Sequence, residues 1–164
     1  MTVEAPTPRS PSPRILAVAN QKGGVGKTTT AINLGTALAA AHRKVAVYDL
    51  DPQGNASTGL GIEAGRRHPN GYHVLIGETT MAEAAQPTLV PGLDVIPSGS
   101  DLSGAEVELV SMPEREMFLK TALSVGAPRW DYVLIDCPPA LGLLTINALV
   151  AADAVLVPLQ CEFF

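Results

Sequence analysis

A run of small and basic residues, Asn20-Gln21-Lys22-Gly23-Gly24-Val25-Gly26-Lys27-Thr28-Thr29-Thr30, follows the first apolar stretch of the chain and leads into a helical pattern. Small residues let the backbone turn sharply, so that several N–H groups converge, and converging N–H groups suit phosphate oxygens. A helix N-terminus behind them adds the positive end of its dipole. In that frame the backbone of Gly23, Gly24, Val25 and Gly26 forms the cradle and Lys27 reaches the β- and γ-phosphates of ATP. The Thr28 hydroxyl is a ligand for Mg²⁺, and Thr29 hydrogen-bonds the α-phosphate. A strand-to-helix turn with surface lysines is the ordinary alternative. Against it, strand, Gly-Gly-x-Gly-Lys-Thr and helix come in the order a phosphate loop requires.

One departure from the common P-loop is informative. Gln21 stands where the first glycine is usual, and Lys22 follows it, giving the deviant Walker A form Lys-Gly-Gly-x-Gly-Lys-Thr. A cation at the mouth of the loop is well placed to reach phosphates of a second nucleotide.

Carboxylates at the ends of two further apolar runs complete the candidate chemistry. The run Val45-Ala46-Val47-Tyr48 ends in Asp49-Leu50-Asp51-Pro52-Gln53-Gly54-Asn55. In open α/β sheets ligands lie beyond the carboxyl ends of the strands, on the side of the phosphate loop. Residues two apart on an extended segment face the same way. Asp51 is therefore expected to orient or deprotonate the attacking water, with Asp49 supporting the metal shell. Phosphoryl transfer asks mainly for positioning and charge stabilisation, so an orienting carboxylate suffices. Asp-Pro-x-Gly is equally an ordinary turn. Later, Leu134-Ile135-Asp136-Cys137-Pro138-Pro139 has the Walker B pattern, with Asp136 binding Mg²⁺ through water and Pro138-Pro139 stiffening a loop that senses the γ-phosphate. Cys137 has no adjoining histidine, since His42, His68 and His73 are scattered, and it reads as a small buried thiol.

The elements that position these groups are legible as short apolar runs. Ile15–Ala19, Val45–Tyr48, Val133–Ile135 and Ala154–Val157 are continuous rather than alternating, as in strands buried on both faces of a parallel sheet. Leu93–Ile96 is a weaker fifth. Between them, Ala31, Leu34, Leu38 and Ala41, and later Leu143, Ile146 and Val150, have helical spacing that puts each set on one face. Thr80-Met81-Ala82-Glu83 matches a capping box. Helices are also expected over Asp101–Val110 and Pro113–Ser124, the second capped by Ser111. Gly54–Gly77 reads as a long, mobile connection. Strands alternating with helices imply right-handed crossovers and a sheet covered on both faces.

Composition narrows the function. The 164 residues suffice for one domain, and with 46% hydrophobic and 16% charged residues the chain is too apolar to be disordered. A net charge of −5 excludes a uniformly basic nucleic-acid coat, and 4% aromatics argues against base-stacking platforms. No apolar run spans a membrane, and Cys137 and Cys161 lack metal-ligand spacing, so a reducing cytoplasm is the expected setting. Residues 1–13, rich in proline and serine, read as a disordered arm, with residues 14–164 as one domain built around the phosphate loop.

The segments ANQKGGVGKTTTAINLGTALA, VYDLDPQGNASTGLG, YVLIDCPPALGLLTINAL and AADAVLVPLQCEFF together resemble chromosome- and plasmid-partitioning ATPases of the ParA/Soj type. The resemblance implies an α/β fold of the deviant Walker A (SIMIBI) P-loop NTPase type, with a mainly parallel sheet and helices on both faces. It implies ATP and Mg²⁺ as ligands and an ATP-dependent homodimer in which Lys22 crosses to the partner's nucleotide. It assigns Asp51 to hydrolysis. It further implies non-specific DNA binding by the dimer, stimulation by a ParB-type centromere-binding partner, and a cytoplasmic, nucleoid-associated setting without membrane attachment. Members usually continue beyond Gln-Cys-Glu-Phe-Phe, so the fold is expected to be incomplete at the C-terminal end, with adenine and DNA contacts beyond residue 164. A MinD-like membrane-associated ATPase shares the loop, but Gly54–Gly61 favours partition. An iron-protein-like redox ATPase lacks its cysteines here, and a nucleotide-binding fragment without turnover is the remaining alternative.

Overall fold

The structure, a computed structural model, describes residues 12–126 and 129–161. Residues 1–11 of the expected arm, and Phe163-Phe164, lie outside the described residues. The apolar runs form strands β1 (Arg14–Val18), β2 (Val45–Asp49), β4 (Leu93–Ile96), β5 (Tyr132–Asp136) and β6 (Ala154–Leu156), while β3 (Gln86–Pro87) is a short addition. They make one sheet in the order β3-β4-β2-β5-β1-β6. Every pairing is parallel except β3 with β4.

Seven helices accompany the strands among the described residues: α1 (Lys27–Ala40), α2 (Asn55–Gly59), α3 (Gly71–Leu75), α4 (Met81–Ala84), α5 (Leu102–Leu109), α6 (Phe118–Gly126) and α7 (Leu143–Ala151). Two hydrophobic cores lie on opposite faces of the sheet. Val45, Val47 and Leu134 pack beneath α1 and α2, whereas Ala46, Tyr48, Val133 and Ile135 pack beneath α3 to α7. β1 and β5 are neighbours, yet the helices that follow them, α1 and α7, cover opposite faces. That divergence makes the crevice at their carboxyl ends the topological switch point, where α/β sheets bind ligands.

The expected α/β architecture holds, and several local expectations are corrected. Among the described residues β6 pairs with β1 alone, and Val155 is 48% exposed. In α1 the buried stripe is Lys27, Ala31, Gly35 and Ala39, and Ala41 lies exposed at the C-cap. Small residues win this face because the helix approaches the sheet closely: a Cβ at Gly35 would sit 3.2 Å from both Leu93 and Val47. In α7 the inward face is Leu144, Asn147, Ala148 and Ala151, which leaves Ile146 40% exposed. A helix that is apolar nearly all round does not announce its inner face, and here a buried asparagine decides it.

That asparagine also explains why α6 begins at Phe118 rather than Pro113. Asn147 Oδ1 accepts from Leu119 N at 3.1 Å, and its Nδ2 donates to Arg115 O at 2.8 Å and to Leu143 O at 3.0 Å. The cap of α6 thus comes from α7. Ser111 does not cap it; its hydroxyl donates back to Glu108 O at 3.4 Å, and Glu114 at φ +51° interrupts any helix through Pro113. The capping box forms as expected, with Thr80 and Glu83 bonded reciprocally at the head of α4. Gly54–Gly77 is not one long connection. It holds α2, a 3₁₀ turn at Ala64–Arg66 and α3, anchored where Tyr48 Oη donates to Gly71 O at 2.5 Å.

Candidate nucleotide-binding site

Between β1 and α1 the loop backbone takes left-handed turns at Gly24 (φ +73°) and Gly26 (φ +84°), which glycine adopts without steric cost. A Cβ at Gly23, Gly24 or Gly26 would meet nothing within 4 Å, so these glycines serve backbone shape and an open rim rather than packing. Helix α1 starts directly on Gly26 with no side-chain cap and no acidic residue in its first turn. Its leading N–H groups and dipole therefore have no partner of the kind helix ends usually recruit. The loop is fastened from both ends. Asn20 Oδ1 accepts from Lys22 N at 2.9 Å and Asn20 Nδ2 donates to Pro158 O at 2.8 Å, while Gln160 Nε2 donates to Gly24 O at 3.2 Å. Lys27, only 7% exposed, donates from Nζ to Lys22 O at 3.2 Å across the loop. Lys22 and Thr29 are exposed and Thr28 is half-buried.

The sheet register brings the carboxylates to this loop. Asp136 pairs with Val18 on one side and Asp49 on the other, so the ends of β1, β5 and β2 form one row. Both carboxyl oxygens of Asp136 are buried without a hydrogen-bond partner. Burial, reinforced by the charges of Asp49 and Asp51, pushes this carboxyl up to about 7. The nearby Thr28 hydroxyl and Lys27 ammonium pull the other way, which places both beside Asp136, although the hydroxyl completes no hydrogen bond to either oxygen. Asp49 is half satisfied. Its Oδ2 accepts from Ser57 N at 2.7 Å and Ser57 Oγ at 2.6 Å, while Oδ1 is buried and unpaired. Burial raises it to about 6 against the pull of Ser57.

Asp51 sits in the turn its sequence suggests, and the turn aims it inward. Its Oδ1 accepts from Gln53 N at 2.9 Å and its main-chain carbonyl from Gly54 N at 2.9 Å and Ser98 Oγ at 2.6 Å. The carboxylate is close enough to raise both Asp49 and Asp136. Turn and buried carboxylate are thus the same feature.

Buried carboxylates are ordinarily paired. Unpaired oxygens of Asp136 and Asp49 beside a hydroxyl form a hard, oxygen-only donor set, which suits Mg²⁺. Among the described residues, no group of three or more His, Cys, Asp or Glu side chains makes a metal cage unaided. A cation here would need phosphate or water to complete its shell, as Mg²⁺ normally does. Cys137 is buried and its thiol pushed up to about 12, chiefly by burial, in keeping with a structural role.

Sequence reasoning missed Ser57 and Ser98. Ser57 Oγ accepts from Ser98 N at 2.9 Å as well as donating to Asp49, so a buried relay ties Asp49, Ser57, Ser98 and Asp51 together. Both serines lie in stretches without apolar periodicity, and only the folding of α2 against the end of β4 gives them a role. Asn20 and Gln160, from opposite ends of the chain, were equally silent.

The chain is similar to known proteins over most of its length. A family model described as an AAA domain matches residues 13–164. The chromosome partitioning protein ParA of Caulobacter vibrioides (strain NA1000 / CB15N) is 60% identical over 154 residues, covering 92% of this chain and 57% of that protein. The sporulation initiation inhibitor protein Soj of Bacillus subtilis (strain 168) is 50% identical over 151 residues, covering 92% of this chain and 60% of its own length. Cobyrinic acid a,c-diamide synthase of Mycobacterium smegmatis, solved with a bound ATP analog and magnesium, has a TM-score of 0.88 at 46% identity, covering 92% of this chain and 62% of that one. The chain therefore spans about three fifths of the length of these relatives. The chain belongs to the AAA-domain family, and chromosome partitioning protein ParA and the Soj protein are among its relatives.

Proposed function

We propose that this chain binds ATP with Mg²⁺, hydrolyses it, and serves as the nucleotide switch of a DNA-partitioning protein. The observation that carries the reading is the Asp136 carboxylate, buried with both oxygens unpaired, beside Thr28 at the foot of an uncapped phosphate loop. The amides of Gly23 to Gly26 and the α1 N-terminus bind phosphate oxygens, Lys27 swings from the Lys22 carbonyl to the β- and γ-phosphates, and Thr29 holds the α-phosphate. Thr28 and Asp136, with Asp49 behind them, would hold Mg²⁺, which supplies neutralisation of phosphate charge. Asp51 orients the attacking water or accepts its proton, fixed by Ser98 and by its own turn. Preorganised charge of this kind supplies most of what phosphoryl transfer requires.

The relatives support the wider role. ATP joins two copies face to face, Lys22 of each reaching the partner's nucleotide, and the dimer binds DNA without sequence preference. A ParB-type protein stimulates hydrolysis and releases it, in a nucleoid-associated cycle. Among the described residues no helix is long and apolar enough to cross a membrane.

ATP turnover with and without DNA and a ParB-type protein tests the reading. Stimulated turnover is expected. Asp51→Ala should keep ATP and lose hydrolysis by about a hundredfold or more. Binding without turnover in the unaltered chain under all conditions would reduce the function to nucleotide binding, and full hydrolysis by Asp51→Ala would remove that residue's role.

A further inference from the structure

The segment after α2 sends one side chain back onto the turn that carries Asp51. Arg67 Nε and Nη2 both donate to the carbonyl of Ile62, at 3.1 and 2.8 Å, and Nη2 also donates to Thr58 Oγ1 at 2.7 Å. The Thr58 hydroxyl donates in turn to Gly54 O at 3.0 Å. Gly54 N donates to the main-chain carbonyl of Asp51 at 2.9 Å, closing the path from guanidinium to aspartate. The remaining nitrogen, Nη1, lies directly against Gly54, where an added Cβ would collide with it. Gly54 also has φ +66°, so backbone shape and the arginine above it both call for glycine at this position.

We propose that Arg67 is a positioning residue for hydrolysis: through Thr58 and Gly54 it clamps the Asp51 turn in the geometry that aims the carboxylate at the phosphate loop. The inference rests on the assignment of Asp51 made above and adds a regulator of its placement. Ser98 holds the Asp51 carbonyl directly and Arg67 holds the turn through Thr58, so the turn is gripped twice. A planar, forked guanidinium can bond a carbonyl and a hydroxyl at fixed angles while covering Gly54. A lysine ammonium keeps the charge but lacks the fork. Arg67 packs into no apolar core. It borders a polar cavity of about 250 Å³ shared with Pro52, Asn70 and Ser98, so its removal loosens the turn without opening a hydrophobic void. Small misplacements of an orienting group are costly to rate and cheap to binding, and ATP affinity is supplied elsewhere, by the loop at Gly23 to Thr29.

The test measures single-turnover ATP hydrolysis, equilibrium ATP binding and amide hydrogen exchange at Gly54 and Val47 in the unaltered chain, Arg67→Ala, Arg67→Lys, Thr58→Val and the Arg67→Ala/Thr58→Val double variant. Arg67→Ala should slow hydrolysis about tenfold, leave ATP affinity within about twofold, and speed exchange at Gly54 but not at Val47. Arg67→Lys should stay close to Arg67→Ala, and the double variant should be no slower than the worse single one, because both residues act on one path. Unchanged hydrolysis in Arg67→Ala, or parallel loss of rate, affinity and Val47 protection, overturns the clamp. If the unaltered chain itself fails to hydrolyse ATP, the proposed function fails. The exchange measurement then judges the clamp alone, unchanged protection at Gly54 overturning it.

Discussion

Replacing Asp136 by asparagine should reverse part of the pH dependence of folding in the nucleotide-free protein. The group moves from an ordinary value of 3.8 to about 7 on folding because burial disfavours its charge. A carboxyl raised in this way binds more protons folded than unfolded between those values. Its contribution to stability is therefore fully present below about pH 4 and is lost as pH rises through 7. By linkage, ionisation of this one side chain removes about 2–3 kcal/mol between about pH 5 and about pH 8. Asp49, raised to about 6, removes a smaller further amount, roughly 1 kcal/mol, over the same range by the same linkage. Asp136→Asn eliminates the larger part and keeps the smaller. Its amide is also buried without a partner, at a cost of about 1–3 kcal/mol that does not vary with pH, so the slope rather than the absolute stability carries the prediction. Urea unfolding at the two pH values, without nucleotide or Mg²⁺, gives both slopes. The variant should lose about 2–3 kcal/mol less than the unaltered chain between them. Equal losses in the two proteins would mean that Asp136 is not a buried, unpaired carboxyl, and the electrostatic basis of the site would fail.

Ser57→Ala removes the hydroxyl bond to Asp49 Oδ2 and keeps the backbone one, so α2 is tethered to Asp49 by its amide alone. Stability should fall by about 2 kcal/mol above pH 7, where Asp49 is ionised, and by less near pH 5, as read by the same urea titrations. Asn147→Leu strips Leu119 N and Arg115 O of their partner. A loss of about 2–4 kcal/mol is expected, with faster amide exchange at the head of α6, whereas an unchanged midpoint would contradict the capping role given to α7.

What the sequence revealed depended on the kind of force involved. Continuous apolar runs marked β1, β2 and β5 because a strand covered on both faces has nowhere to put a polar side chain, whereas β4, interrupted by Asp94, gave a weaker run. β6 shares the composition but pairs with β1 alone among the described residues. The loop from Lys22 to Thr29 was legible because turning tightly around phosphate restricts residue types one by one. Asp49, Asp51 and Asp136 were found as strand ends, and the register of β1, β5 and β2 brings them together. Ser57, Ser98, Arg67 and Asn147 were illegible for one reason. Each acts by a hydrogen bond to a residue in another element, and no local spacing records such a partner. The inner face of α7 was misjudged because leucine, isoleucine and valine occupy most of its circumference, so Asn147 was the informative residue and apolarity was not.

The central claim is that the loop at Gly23 to Thr29 and the carboxylate of Asp136 form a single site for Mg²⁺ and ATP. Equilibrium titration of a fluorescent ATP analogue, with and without Mg²⁺, into the unaltered chain, Lys27→Ala and Asp136→Asn tests it most directly. Saturable binding strengthened by Mg²⁺ is expected for the unaltered chain, with binding abolished in Lys27→Ala and the Mg²⁺ dependence lost in Asp136→Asn. Undiminished affinity in Lys27→Ala, or a full Mg²⁺ response in Asp136→Asn, would contradict it.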